Sequence, residues 1–236
     1  MAERGRWREN LSWAGACLQL QLGRQLVLVA VLDAVLVGWG LFDALLSPGA
    51  PAAGLYVGCV LVPLVLLGMP ALADLVALER RAGCLDLALA APAGELYFLR
   101  RAGVVAALLA LQGTLVMGVA WIAGSASFPW LTVEGQLLAV TAFAVATTLF
   151  WAVRLTSPGS VWLASVATFV AAGGWSLWVP VVTAVPGGPR VGKLLPAPWD
   201  LWEWTTHALP LALAAWLLSL YARRRLRRPE TLLVAG

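Results

Sequence analysis

The sequence predicts an all-α membrane protein with six transmembrane helices, an N-terminal interfacial helix and a cytoplasmic helix between the second and third spans. Two observations on composition support this fold class. The chain of 236 residues is 61% hydrophobic and only 12% charged, whereas soluble domains are about 25% charged. Apolar runs recur along it, and a run of about 18 residues or more can cross a hydrocarbon core of roughly 30 Å.

The first element is predicted in residues 1–24, which hold an apolar stripe at helical spacing. The stripe contains Trp7, Leu11, Ala14, Leu18 and Leu22. Polar residues lie away from this stripe, a pattern typical of an amphipathic helix in the plane of a membrane surface. We therefore expect this helix, and in particular Trp7, Leu11 and Leu18, to lie in the cytoplasmic interface.

The transmembrane domain is predicted to cover residues 25–228, followed by a C-terminal tail in residues 229–236. The six spans are expected at about Gln25–Leu46, Gly54–Ala73, Ala102–Ala123, Glu134–Val153, Ser160–Val182 and Leu201–Tyr221. The last span contains Pro210, which is expected to kink or break it. Residues 186–207, which overlap its beginning, are predicted to form an outer loop or re-entrant segment.

The basic residues orient this bundle through the positive-inside rule. With both termini in the cytoplasm, only Arg190 and Lys193 fall outside. The basic residues on the inner side are Arg4, Arg6, Arg8, Arg24, Arg80, Arg81, Arg100, Arg101, Arg154, Arg223, Arg224, Arg225, Arg227 and Arg228. Because Lys193 is the single lysine in an Ala- and Leu-rich chain, the composition suggests a GC-rich bacterial genome. The expected location is therefore a bacterial cytoplasmic (inner) membrane.

Residues 77–101 interrupt the apolar pattern with a concentration of charge. The charged residues are Glu79, Arg80, Arg81, Asp86, Glu95, Arg100 and Arg101. Because each charge costs on the order of 2.5–3.5 kcal/mol at the centre of a span, this segment cannot cross the membrane. Leu85, Ala88 and Leu89 recur at helical spacing between Gly83 and Pro92, which predicts a short amphipathic helix. An ordinary positive-inside loop is the simpler alternative.

A set of residues in this segment resembles a motif of the membrane subunits of ABC exporters in the type-2 permease superfamily. The matching residues are Glu79, Arg80, Gly83, Leu85, Asp86, Leu87, Pro92 and Glu95. The resemblance extends to the six-span layout, the N-terminal interfacial helix and an outer segment before the last span. In that family the segment is the coupling helix, which docks into the ATPase subunit, and the resemblance implies this role for the matching residues.

The function implied by the resemblance is that of a permease subunit, not an enzyme in itself. It implies two copies of an ABC ATPase and a second permease subunit, as a homodimer or a heterodimer. The sequence Gly187–Lys193 approaches a phosphate-binding loop but continues with Leu194 where Ser or Thr is needed. ATP and magnesium are therefore expected on the partner ATPase, with no cofactor or metal on this chain and no nucleic-acid partner. The cargo is expected to be hydrophobic or lipid-like.

Two further features are candidates for a substrate pathway or an interface. Asp33 lies within the first predicted span, where a carboxylate is a functional candidate; the alternative is a protonated or hydrogen-bonded side chain between helices. Trp199, Trp202 and Trp204 precede the last span. They fit an aromatic belt at the outer surface, or a contact for an amphipathic substrate.

Two alternative functions remain open at this stage. Within the same class, the short length resembles haem-exporter-B-like permeases of cytochrome c maturation, although the fourth span lacks the expected Gly-rich run. From a different class, a polytopic scaffold without transport activity fits the same spans. An ATPase partner would separate transport from scaffolding.

Overall fold

The computed structural model describes residues 60–81, 84–90, 94–122, 130–182 and 201–227, together with five separate positions between residues 31 and 42. All regular structure in these ranges is helical, in agreement with the predicted all-α class, and they contain no strand. The predicted N-terminal helix, with Trp7, Leu11 and Leu18, lies outside the described residues, as do Asp33, Gly83, Pro92 and Trp199.

The described ranges contain a π-helical turn and a series of α-helices. A π-helical turn, Leu64–Gly68, leads directly into helix α1. The α-helices are α1 (Met69–Arg81), α2 (Leu85–Ala90), α3 (Gly94–Ile122), α4 (Trp130–Ala152), α5 (Pro158–Val182) and α6 (Leu201–Leu226). A short helix thus occurs at Leu85–Ala90, where the spacing of Leu85, Ala88 and Leu89 predicts one.

Two of these helices are long and apolar enough to cross a membrane. By length and composition they are Gly94–Val119 in α3 and Val133–Ala152 in α4. This finding is consistent with a membrane location. In α5, the apolar stretch among the residues whose side chains the structure describes is Pro158–Ala172.

Helix α6 is unbroken at Pro210 and extends beyond the predicted end of the sixth span. It continues through Pro210 to Leu226, so of the kink or break expected at this proline the break does not occur. Pro210 lies on the exposed face of the helix, so its ring does not disturb the core, although a proline inside a helix removes one backbone hydrogen bond and crowds the carbonyl group four residues earlier. The helix also carries Arg223, Arg224 and Arg225 in its last turn.

Helix α4 is the central element, since it packs against α1, α3, α5 and α6. Its buried positions include several small residues, among them Ala139, Ala144 and Ala146. Small side chains let neighbouring helices approach closely, which favours this packing in apolar surroundings. The buried apolar residues form separate clusters along the bundle. Leu137 of α4 belongs to a cluster near the start of α4, and Ala152 belongs to another cluster at its end.

The outer face of α3 presents an apolar stripe that no described part of the chain covers. Its large exposed side chains are Leu108, Leu111, Leu115, Val119 and Ile122, between 43% and 80% exposed. They recur every three or four residues, so they share one face of the helix. A contiguous apolar face of this kind is normally covered by lipid or by another protein.

The π-helical turn before α1 is joined to α5 by a hydrogen bond. Trp162 Nε1 donates to the carbonyl oxygen of Val65 at 3.1 Å. A π-helical turn alters the regular helical hydrogen-bond pattern. A carbonyl in such a turn is therefore well placed to accept from a neighbouring helix, and the indole both satisfies it and fixes α5 beside this segment.

We expect Trp162→Phe to lower the free energy of unfolding by about 1 kcal/mol, because it removes this hydrogen bond and keeps most of the apolar ring. Trp216→Phe is the matched control, since Trp216 is 59% exposed. Thermal unfolding in detergent would compare the two. Equal melting temperatures would show that the indole hydrogen bond does not stabilise the turn.

Candidate functional site at the charged end of the bundle

Charged residues from several helices collect at one end of the bundle, which we call the charged end. It comprises the C-terminal ends of α1, α4 and α6, the N-terminal ends of α3 and α5, and helix α2. A shared apolar cluster underlies it, with Leu85, Phe98, Val153, Val161 and Leu226 from different elements. The helices therefore alternate in direction and bring distant parts of the sequence together here.

Backbone hydrogen bonds through Cys84 join α2 to the end of α1. The N–H of Cys84 donates to the carbonyl oxygen of Glu79 at 3.0 Å, and the carbonyl of Cys84 accepts from the N–H of Ala88 at 2.9 Å. The first bond satisfies a carbonyl in the last turn of α1, and the second begins α2. Leu85 then anchors α2 in the core, since it is only 3% exposed.

Gly94 allows the start of α3 to lie directly against α2. A Cβ atom added at Gly94 would overlap the carbonyl oxygen of Ala88 and would lie 2.9 Å from the Cα atom and the carbonyl oxygen of Leu89. These are backbone atoms, which cannot rotate out of the way as the tip of a side chain can. Only glycine fits here without moving one helix away from the other.

A buried ion pair connects α1 to α3. Arg101 Nη1 lies 2.7 Å from Glu79 Oε1, and the two side chains are 1% and 18% exposed. Tyr97 completes the group: its hydroxyl donates to the same carboxylate oxygen at 2.9 Å and accepts from Arg101 Nη1 at 3.0 Å. Because a buried charge is tolerated only when it is paired and hydrogen-bonded, these three residues depend on one another.

A second ion pair connects α3 to α6. Arg227 Nε lies 3.0 Å from Glu95 Oε1, and here the arginine is 55% exposed. An exposed pair of this kind is screened by solvent and contributes little to stability. The ion pair instead fixes the first turn of α3 beside the end of α6.

An aromatic and arginine cluster lies between α4 and α6. Arg154 Nε and Nη2 donate to the hydroxyl oxygen of Tyr221 at 3.1 and 2.9 Å, and Arg225 Nε donates to the same oxygen at 3.0 Å. The guanidinium of Arg154 also stacks over Phe150, with its Cζ 4.6 Å from the ring centre. We call Phe150, Arg154, Tyr221 and Arg225 the aromatic–arginine cluster.

Asp74 adds a partly buried carboxyl group two turns before the end of α1. Burial raises the pKa of Asp74, and the positive charge of Arg81 lowers it by a smaller amount. Its carboxyl group therefore takes up a proton more readily than an exposed aspartate does.

The residues predicted to couple to an ATPase fall into different environments. Glu79 and Glu95 are engaged in ion pairs within the chain, and Leu85 is buried. Arg81, Cys84 and Arg100 are exposed around α2. Arg80 is half-buried. The side chains of Asp86 and Leu87 in α2, and of Trp202 and Trp204 in α6, lie outside what the structure describes.

Sequence reasoning missed Tyr97 and the aromatic–arginine cluster. A usable signal is present in each case, since the members of the pairs are four residues apart in a helix or at the turn that ends one: Tyr97 and Arg101, Phe150 and Arg154, and Tyr221 and Arg225. This spacing places an aromatic ring beneath a guanidinium group. Sequence reasoning also missed the contact of Glu134, which lies nearer the opposite end of the bundle. The hydroxyl group of Thr114 donates a hydrogen bond to Glu134 Oε1 at 2.7 Å.

Within the described ranges, no group of three or more His, Cys, Asp and Glu residues is arranged to hold a metal ion. Comparison with known proteins identifies no relative. No protein-family model matches the chain, and no curated protein or solved structure is significantly similar to it. The functional argument therefore depends on the geometry of the charged end.

Proposed function

We propose that this chain is the transmembrane subunit of an ATP-driven ABC exporter, with six spans and the charged end in the cytoplasm. Helix α2 is then the coupling helix, which contacts a separate ATPase subunit present in two copies. A second permease subunit completes the transporter. The orientation follows from the positive-inside rule, because the charged end carries most of the described arginines.

The observation that carries this proposal is the attachment of α2 to two long helices. Cys84 ties it to α1 by backbone hydrogen bonds, Gly94 brings it against α3, and the Glu79–Arg101 ion pair holds α1 to α3. A short helix fixed in this way passes a force applied to it on to both long helices as a rigid-body movement. An ordinary loop between two spans needs none of these contacts.

The charges of the segment suggest which residues meet the ATPase. Because Glu79 and Glu95 face partners within the chain, we assign them the task of holding the segment in place. The exposed side chains of Arg81 and Arg100 are better placed for contact with an acidic cleft. Asp86 keeps its proposed coupling role on the basis of its position in α2.

The interior polarity favours a hydrophobic or lipid-like cargo. Apart from Arg101, the fully buried polar side chains in the described ranges are hydroxyl-bearing: Thr141, Thr147, Thr148 and Ser165. Two of these, Thr148 and Ser165, donate back to carbonyl oxygens of their own helices. Such an interior offers few groups to replace the hydration of a polar solute.

We expect Arg81→Glu to reduce co-purification of an ABC ATPase at least fivefold, because it reverses a charge at the proposed contact. Arg224→Glu is the matched control, since Arg224 is also an exposed arginine but lies on α6. The tagged chain would be extracted in mild detergent, and the ATPase would be identified by mass spectrometry and quantified against the chain.

Two results would contradict the proposal. If no ATPase co-purifies with the wild type even after crosslinking, the transporter assignment is wrong and a membrane scaffold is favoured. If Arg81→Glu and Arg224→Glu lower recovery equally, the contact depends on general charge and α2 is not the coupling element.

A further inference from the structure

We propose that the aromatic–arginine cluster binds the phosphate group of an anionic phospholipid at the charged end of the bundle. The site consists of Arg154 from the end of α4 and Tyr221 and Arg225 from the last turns of α6. It does not depend on the ATPase, because it requires only that this end of the bundle lies at a membrane surface.

The hydrogen bonds of the cluster leave an excess of donors. Tyr221 oxygen accepts from both guanidinium groups, so its own hydrogen points to an acceptor elsewhere. Each guanidinium has five N–H donors, and these contacts use two from Arg154 and one from Arg225. A phosphate oxygen, which only accepts, is the complementary group.

The positive charge of the cluster is not neutralised within the described part of the chain. No described carboxylate lies within ion-pair distance of Arg154 or Arg225. Glu79 is bound to Arg101, and Glu95 is bound to Arg227, two residues beyond Arg225 and on a different face of α6. Two guanidinium groups that share one neutral oxygen repel each other, and an anion between them relieves this repulsion.

The aromatic rings hold the two guanidinium groups in place before any ligand arrives. Arg154 Cζ lies 4.6 Å from the centre of the Phe150 ring and 5.0 Å from that of Tyr221, and the two rings are 5.0 Å apart. Arg225 Cζ lies 5.8 Å from the centre of the Tyr221 ring. A preorganised pair of this kind loses less side-chain entropy on binding than two mobile arginines would.

The surface beside the cluster favours a lipid over a protein or a soluble anion. Leu213, Trp216 and Leu217 on α6 are each more than half exposed. Leu217 precedes Tyr221 by one helical turn, and Leu213 by two. An apolar strip thus leads up to a basic group, which matches the arrangement of an acyl chain and its headgroup phosphate.

The test measures the melting temperature of the purified full chain in neutral detergent during titration with dioleoylphosphatidylglycerol. Dioleoylphosphatidylcholine tests the need for net negative charge. Inorganic phosphate and glycerophosphoglycerol test whether the headgroup alone suffices, and a polyglutamate peptide represents an acidic protein surface. A ligand that binds only the folded state raises the melting temperature, and the rise grows with the logarithm of the ligand concentration once that concentration exceeds the dissociation constant.

We expect phosphatidylglycerol to raise the melting temperature more than any other additive. In the double variant Arg154→Gln/Arg225→Gln, the lipid concentration needed for the same rise in melting temperature should increase roughly tenfold. Arg224→Gln should leave it within twofold, since like Arg225→Gln it removes one positive charge from α6, but at a position outside the cluster. Tyr221→Phe should give an intermediate increase, because it keeps the ring and removes the shared oxygen.

The proposal fails if phosphatidylcholine or glycerophosphoglycerol stabilises the chain equally, or if Arg224→Gln weakens the response as much as the double variant. Stabilisation by inorganic phosphate alone would identify a soluble anion as the ligand, and stabilisation by polyglutamate alone an acidic protein surface; either result overturns the lipid assignment. Where the double variant does not fold, Arg225→Gln and Tyr221→Phe carry the same comparison.

Discussion

Replacing Arg101 by methionine is expected to destabilise the chain by about 3 kcal/mol, the largest effect of the substitutions considered. Methionine retains much of the apolar volume of the arginine stem, so cavity formation contributes little. The cost comes from Glu79, which is 18% exposed and would keep the hydrogen bond from Tyr97 but lose its positively charged partner. Removing one member of a buried ion pair typically costs about 3–5 kcal/mol, and the partial exposure of Glu79 favours the lower value.

The neighbouring residue provides the control for this substitution. Arg100 is exposed on the same helix, so Arg100→Met removes the same charge without breaking the buried group. For a chain of this length we expect Arg101→Met to lower the melting temperature by roughly 6–12 °C, and Arg100→Met to change it by less than a third of that. Equal melting temperatures would mean that the ion pair does not hold α1 and α3 together.

A compensating variant separates the loss of the pair from the burial of a lone charge. In Arg101→Met/Glu79→Leu, both charges are absent and the apolar volume is kept. Replacement of a whole buried pair by apolar residues is often neutral or stabilising. We therefore expect much of the lost melting temperature to return in the double variant, which would assign the destabilisation of Arg101→Met to the stranded carboxylate.

The helices were accessible from the sequence because their signals are local. Apolar runs predict long helices where α3, α4 and α5 occur, and the spacing of Leu85, Ala88 and Leu89 predicts α2. The prediction for α6 placed its end near Tyr221, five residues before Leu226. The start of the arginine run predicts where the chain leaves the membrane, and this point need not be the end of the helix. Long arginine side chains can keep their charged groups in water while the helix continues beyond the membrane.

The pairing of charges was not accessible, because it depends on how distant segments pack. Arg101 and Glu79 are separated by 22 residues, and Glu95 and Arg227 by 132. The sequence shows Glu79 and Glu95 as acidic residues in a basic segment, which suggests an outward role in docking. Their ion pairs turn both carboxylates towards the bundle, and no local pattern distinguishes a docking carboxylate from a paired one.

Gly94 is another feature with no reliable signal in the sequence, since Gly83 and Gly103 lie within eleven residues of it in the chain. We expect Gly94→Ala to destabilise the contact between α2 and α3 by about 1–3 kcal/mol, because its methyl group would overlap the backbone at Ala88 and Leu89. In the middle of a helix, by contrast, alanine is normally favoured over glycine by about 0.5–1 kcal/mol. Replacing glycine by alanine therefore lowers the free energy of unfolding at a crowded position and raises it at an open position within a helix.

Gly103→Ala is the matched control, since it lies on the same helix and a Cβ atom there meets nothing within 4 Å. Gly103→Ala should raise the melting temperature slightly, and Gly94→Ala should lower it. Limited trypsin digestion would locate the change, because movement of α2 away from α3 exposes the chain after Arg80 and Arg81. If Gly94→Ala also raises the melting temperature and leaves digestion unchanged, α2 is not held against α3. In that case a force on α2 would reach the long helices through α1 alone, and the proposed coupling helix would lose half of its attachment.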